Sequence, residues 1–212
     1  MRSVLPYLRK KSHVIWDWNG TLLRDIEHAV QVTNRLLKEE NLPTTNVETY
    51  LNIFGFPVID YYRRLGFNVA PEKFKDLCER FNSHFVAGVL ECGLWPGAVD
   101  TLAAVKREGK TQSVLSASEQ GILEHQMKIF ELNQYFDHVT GIADKAAGSK
   151  VARGHELMEK AGVAASDTIM IGDTDHDLEV GEALGIDVIL VEHGHQHPER
   201  LRRVHDKVLK LI

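Results

Sequence analysis

The side chains able to do chemistry in this chain gather after short apolar runs. Asp17 follows "HVIW", Ser116 and Ser118 follow "TQSVL", Lys150 opens "KVARGHELMEKAG", and Asp173 and Asp177 lie in "IMIGDTDHD". Taken singly, an aspartate after an apolar run suits a turn, a serine suits a helix cap and a lysine suits a solvated face. Together the four stretches supply carboxylates, hydroxyls and an ammonium. Carboxylates brought close repel one another, and a hard divalent cation such as magnesium relieves that repulsion while keeping positions open for phosphate oxygens. Hydroxyl and ammonium donors suit the remaining phosphate oxygens. The set points to phosphoryl transfer, which relies on positioning and charge neutralisation, with Asp17 as the candidate nucleophile.

The elements that must position these groups follow from the apolar pattern. From Gly93 onward, apolar runs of strand length alternate with helical repeats: "TQSVLSAS", "EQGILEHQMKIFEL", "FDHVTGIAD", "SKVARGHELMEKAG", "DTIMIGDTDHD", "LEVGEALG" and "DVILVEHG". That alternation predicts right-handed crossovers and a doubly wound parallel sheet, an α/β fold in which ligands bind beyond the carboxyl ends of the strands. Between the first strand and the rest, "DIEHAVQVTNRLLKEENLP", "VIDYYRRLGF" and "PEKFKDLCERFNSHFVAGVL" read as helices, with Asp25 as an N-cap. The expected organisation is a core of residues 1–22 and 93–212 interrupted by an all-helical cap of residues 23–92. Such a cap would sit as a lid over the strand ends, with hinges at 22–25 and 92–96. Its expected contact loop is "NIFGFPVIDYYRR", with Gly55 at a turn and Arg63 and Arg64 on the following helix.

Composition narrows the partners. The 212 residues carry a net charge of −5, which leaves no basic stripe for nucleic acid. Only Cys78 and Cys92 occur, which excludes a disulfide framework and suits a reducing, cytoplasmic compartment. The apolar patch near the N-terminus is too short for a membrane anchor or signal and runs directly into Asp17. A small phosphorylated metabolite is the expected partner; oligomeric state is left open.

The motif order "DWNGT", "VLSAS", "SK" and "IGDTDHD" resembles the four motifs of the haloacid dehalogenase superfamily. The helical insertion after the first motif and "WPGAVDTLAAVKREG" leading back to the core resemble its phosphoglycolate phosphatase-like branch. The resemblance covers nearly the whole chain. It implies a Rossmann-like core and a magnesium-dependent phosphatase acting on a small phosphate monoester, phosphoglycolate-like or a sugar phosphate. Asp17 would be nucleophile and magnesium ligand, forming an aspartyl-phosphate. Asn19 would offer its main-chain carbonyl to the metal, and Asp173 would be a further ligand. Thr21, Ser116, Ala117 and Lys150 would hold the phosphoryl group, and Asp177 would orient waters or Lys150 from behind. Lys145 competes with Lys150 in "DKAAGSK"; Lys150 is preferred because the family's lysine opens the following helix.

Asn19 departs from the family pattern. Phosphate-ester hydrolases of this kind usually have an aspartate two residues after the nucleophile, serving as general acid and then base. Asparagine keeps the size, the main-chain carbonyl and a donor amide but exchanges no proton at neutral pH. The substrate then has a good leaving group, or a neighbour such as His176 supplies the proton, or the protein is a slow, phosphate-binding regulator. Phosphonate hydrolysis and phosphomutase chemistry are further alternatives. "EHGHQH" places His193, His195 and His197 in alternation, read here as a structural loop near the site mouth ahead of a metal site.

Overall fold

A computed structural model describes residues 4–142 and 150–210. Strand β1 (His13–Trp16) is buried throughout, as are all five residues of β4 (Thr168–Gly172). Short β-branched and aromatic runs covered on both faces are the signature of central parallel strands. Strands β2 (Thr111–Glu119), β3 (His138–Ile142), β5 (Asp187–Val191) and β6 (Val208–Leu209) complete a six-stranded sheet in the order β3-β2-β1-β4-β5-β6, every pairing parallel. The chain winds from β1 toward β3 and then from β4 toward β6. The reversal opens a crevice at the ends of β1 and β4, which run in register with Trp16 opposite Ile171.

Alternation along β1 divides the core. Val14 and Trp16 join Leu102 and Val105 of helix α5 (Ala98–Arg107) and Leu123 and Met127 of α6 (Gln120–Ile129) on one face. Ile15 joins Leu157 of α7 (Lys150–Ala161) and Val180 and Leu184 of α8 (Asp175–Leu184) on the other. Each such fully buried side chain contributes roughly 1.5–3 kcal/mol. Trp16 and Trp18 bracket Asp17; their indole N–H groups donate to Gln112 Oε1 and Gln126 Oε1 at 3.0 and 2.6 Å. Those anchors fix the backbone that carries Asp17.

Four helices intervene between β1 and α5: α1 (Ile26–Glu39), α2 (Val47–Ile53), α3 (Val58–Arg64) and α4 (Pro71–Gly88). On α1 the buried residues Ile26, Ala29, Val30, Thr33, Leu36 and Leu37 recur at helical spacing. All but Thr33 pack with Tyr50, Tyr61, Tyr62, Phe67 and Leu77 into a separate apolar cluster. The outgoing and returning strands of this segment touch: Leu23 pairs antiparallel with Leu94, Arg24 N donates to Gly93 O, and Trp95 N donates to Leu22 O. The far end of the segment meets residues 197–200 after β5 and the start of α8. His197 N donates to Leu51 O, Arg200 donates to Leu51 O and Phe54 O, and the Phe56 ring stacks on His176 with centroids 4.5 Å apart. Helix α9 (Pro198–Val204) begins within that stretch after β5. Among the described residues no helix is long and apolar enough to cross a membrane.

Candidate active site

Because β1 and β4 are neighbours, the residues just past their ends come together. Asp17 N donates to Ile171 O at 2.9 Å, which places Asp17 beside Asp173 across the crevice. Asp177 reaches the same place from the first turn of α8. Its Oδ2 accepts from Asp173 N, Thr174 N and Thr174 Oγ1 at 3.0, 3.0 and 2.8 Å, forming a capping box that holds this carboxylate rigid. Oxygens of Asp17, Asp173 and Asp177 lie within 4.8 Å of one another, all buried.

Lys150 enters from the start of α7 and its ammonium donates to Asp17 Oδ1 and to Asp177 Oδ1, the latter at 2.6 Å. Burial alone would lower its pKa, but the two carboxylates outweigh burial and hold it above the ordinary lysine range. Asp177 is likewise opposed by burial and held below the usual carboxylate range by Lys150 and the Thr174 donors. Asp17 is pushed up, burial and the charge of Asp177 exceeding the pull of Lys150.

Asp173 has no ion pair among the described residues. Among the described residues its oxygens accept only from Thr21 Oγ1 at 2.8 Å and from His195 N at 2.6 Å, and burial with the neighbouring Asp17 and Asp177 raises its pKa well above the normal value. One ammonium among three converging carboxylates leaves negative charge uncompensated in a buried place. A divalent cation bound through oxygen fits that donor set.

Asn19 is held on both sides. Its Nδ2 donates to Asp25 Oδ2 and its Oδ1 accepts from Ser118 Oγ, each at 2.8 Å. Asp25 is the N-cap residue of α1 by position, yet its side chain makes no cap hydrogen bond. The cap expected of it is corrected: its carboxylate turns back to Asn19, to Gly20 N at 2.8 Å and to His195 Nε2 at 3.2 Å. These donors and the His195 charge outweigh burial and keep Asp25 ionised below its usual pKa. In return Asp25 offsets the burial of His195 and raises its pKa to about 9. The Tyr50 hydroxyl of α2 completes the chain of contacts at 2.8 Å from His195 Nδ1.

Asp17, Asn19, Ser116, Ala117, Lys150, Asp173 and Asp177 all line one cavity of about 970 Å³ between the strand ends and the inserted helices. Thr21 does not line it. Its hydroxyl points beneath, shared between Asp173 Oδ1 and Asp17 Oδ2, and so ties the two carboxylates together. Gly55 and Arg63 are also absent from the cavity wall. Gly55 faces Gln196 and Arg200, and Arg63 pairs with Asp60 in solvent, because α3 turns its apolar face inward and its charged face out. Arg64 is exposed and donates to Ile53 O. Lys145 lies outside the described residues.

The three histidines of the "HGHQH" loop do not converge on a metal. His193 contacts Thr21 O, His195 lies beneath the carboxylates, and His197 caps α9. Sequence reasoning missed Tyr50, the tie of Ser118 to Asn19, and the pairing of Asp25 with His195, whose partners lie up to 170 positions away. It also missed Gly194, where any Cβ would overlap the Asp173 side chain.

The sequence profile described as haloacid dehalogenase-like hydrolase matches residues 14–191. The probable phosphatase IndB of Dickeya dadantii is 27% identical over 205 residues, covering 94% of this chain and 89% of that protein. The phosphoglycolate phosphatase of Aquifex aeolicus is 28% identical over 189 residues, covering 86% and 85%. A predicted phosphatase from Clostridium acetobutylicum shares the fold, with TM-score 0.81 at 20% identity over 94% of both chains. The chain therefore belongs to the haloacid dehalogenase-like hydrolase family, and within it resembles the phosphatases.

Proposed function

We propose that this protein is a divalent-metal-dependent phosphatase acting on a phosphate monoester through an aspartyl-phosphate on Asp17. The observation that carries the reading is the convergence, at one cavity, of a carboxylate at the end of β1 with a buried ammonium and two further carboxylates. Asp17, Asp173 and the main-chain carbonyl of Asn19 would hold the cation, expected to be magnesium, which supplies charge compensation for the carboxylates and the phosphoryl oxygens.

Asp17 Oδ attacks phosphorus, the bond to the ester oxygen breaks, and its electron pair leaves on that oxygen. Lys150 and the Ser116–Ala117 segment of β2 face the phosphoryl oxygens, and Asp177 keeps the Lys150 ammonium in place. Water then attacks the acyl phosphate, the phosphorus–oxygen bond to Asp17 breaks, and inorganic phosphate leaves with the carboxylate restored. Thr21 holds Asp17 and Asp173 in register throughout.

The test is phosphate release from a panel of phosphate monoesters by the full chain, with magnesium and after chelation. Turnover is expected with magnesium, falling at least 100-fold on chelation and recovering on re-addition. Turnover unaffected by chelation would contradict the reading.

A further inference from the structure

We infer that the substrate class is an aryl phosphate, a monoester of a phenol-type alcohol without a second negative charge. The inference rests on the phosphatase reading and deepens it. Two independent features carry it.

The first is the roof of the cavity. Phe54, Phe56, Tyr61, Tyr62, Phe81 and Phe85 line it from the inserted helices. Two tyrosine hydroxyls of the wall are already used: Tyr50 OH bonds to His195, and Tyr61 OH donates to Thr33 Oγ1. Among the described residues no lysine or arginine of the inserted helices reaches the wall, and the acid Glu79 does. Lys150, the one lysine there among the described residues, is committed to Asp17 and Asp177. A carboxylate or second phosphate on the substrate reaching the roof would lie against aromatic rings and Glu79, with Asn82 and Ser83 as its polar neighbours from the inserted helices and, among the described residues, no lysine or arginine of those helices to offset its desolvation. An aromatic group matches the wall in shape and polarity, and about 970 Å³ accommodates one or two fused rings.

The second is Asn19. Its carboxamide is pinned between Asp25 and Ser118 and has no acidic proton to give the departing oxygen. An alkoxide needs that proton, whereas a phenolate leaves as the anion and is protonated by water. The residue at the floor and the rings in the roof thus select the same chemical class by different means.

The experiment compares kcat/KM of the full chain with magnesium on naphthyl phosphate, 2-phenylethyl phosphate and phosphoglycolate. Naphthyl phosphate is expected to exceed phosphoglycolate by at least 100-fold, with the aromatic alkyl ester between them. Asn19→Asp is expected to raise kcat on the two alkyl esters at least tenfold while changing naphthyl phosphate less than threefold. Phe81→Arg, which adds a cation to the roof, is expected to lower KM for phosphoglycolate and raise it for naphthyl phosphate. Phosphoglycolate turned over as well as naphthyl phosphate, or equal gains on all esters in Asn19→Asp, would overturn the inference while leaving the phosphatase reading intact. No turnover of any ester would overturn both.

Discussion

Asp17→Asn is expected to lower kcat by on the order of 10⁴ or more while leaving the chain folded. The carboxamide keeps the shape of the carboxylate but cannot form the acyl phosphate. Stability should move the other way. Burial and Asp177 raise the Asp17 pKa, so near neutral pH the ionised carboxylate is less favourable in the folded chain than in the unfolded one. Removing its charge relieves that cost, and Lys150 keeps Asp177 as a partner. Thermal unfolding without divalent cations should therefore show a Tm no lower than wild type, alongside the loss of turnover. A variant that kept more than a tenth of the wild-type rate would exclude Asp17 as nucleophile.

Lys150→Met has the second large effect, and there stability and activity fall together. The substitution keeps much of the volume but leaves Asp17 and Asp177 buried beside Asp173 without an ammonium. Removing one partner of a buried ion pair typically costs about 3–5 kcal/mol, because the remaining charge stays desolvated. Denaturant unfolding in chelator should show a loss of that size. Loss of one charge facing the transferring phosphoryl group should also lower kcat by about 10²–10³. Magnesium should stabilise the variant more than the wild type, since the cation binds only the folded state and the variant's uncompensated carboxylates hold it more tightly, the added stability growing with the logarithm of that affinity. A variant as stable as wild type in chelator would show that Lys150 does not balance these carboxylates.

The sheet and the residues at its strand ends were legible because both depend on local pattern. Strands of four or five buried residues alternating with amphipathic helices lead to a parallel sheet, and the crossover rule then puts Asp17, Ser116 and Asp173 at one edge. Side-chain direction was less legible. Asp25 occupies an N-cap position, yet its carboxylate is captured by a histidine from a loop 170 positions away. Thr21 follows the nucleophile closely in sequence, but its hydroxyl turns under the site toward Asp173. Arg63 was expected near the substrate because it lies on the helix following the contact loop "NIFGFPVIDYYRR". Whether it faces the cavity depends on how α3 rotates, and packing of Tyr61 and Tyr62 turns Arg63 to solvent. The aromatic roof was present in the sequence only as scattered Phe and Tyr residues on three segments. It becomes a surface once α2, α3 and α4 assemble.

Tying Asn19 to Asp25, His195 and Tyr50 also connects the floor of the site to helix α2 above it. The same loop carries Gly194 under Asp173 and Gln196 against Phe54 O, so the segment after β5 braces the carboxylates and the inserted helices at once.

The most direct test of a covalent route through Asp17 is to quench the wild-type chain in acid during turnover of an aryl phosphate and map any bound phosphoryl group. One hydroxylamine-labile phosphoryl group per chain is expected on the peptide containing Asp17, and none in Asp17→Asn. Full-rate phosphate release with no trapped phosphoryl group, or a group on another residue, would contradict the account.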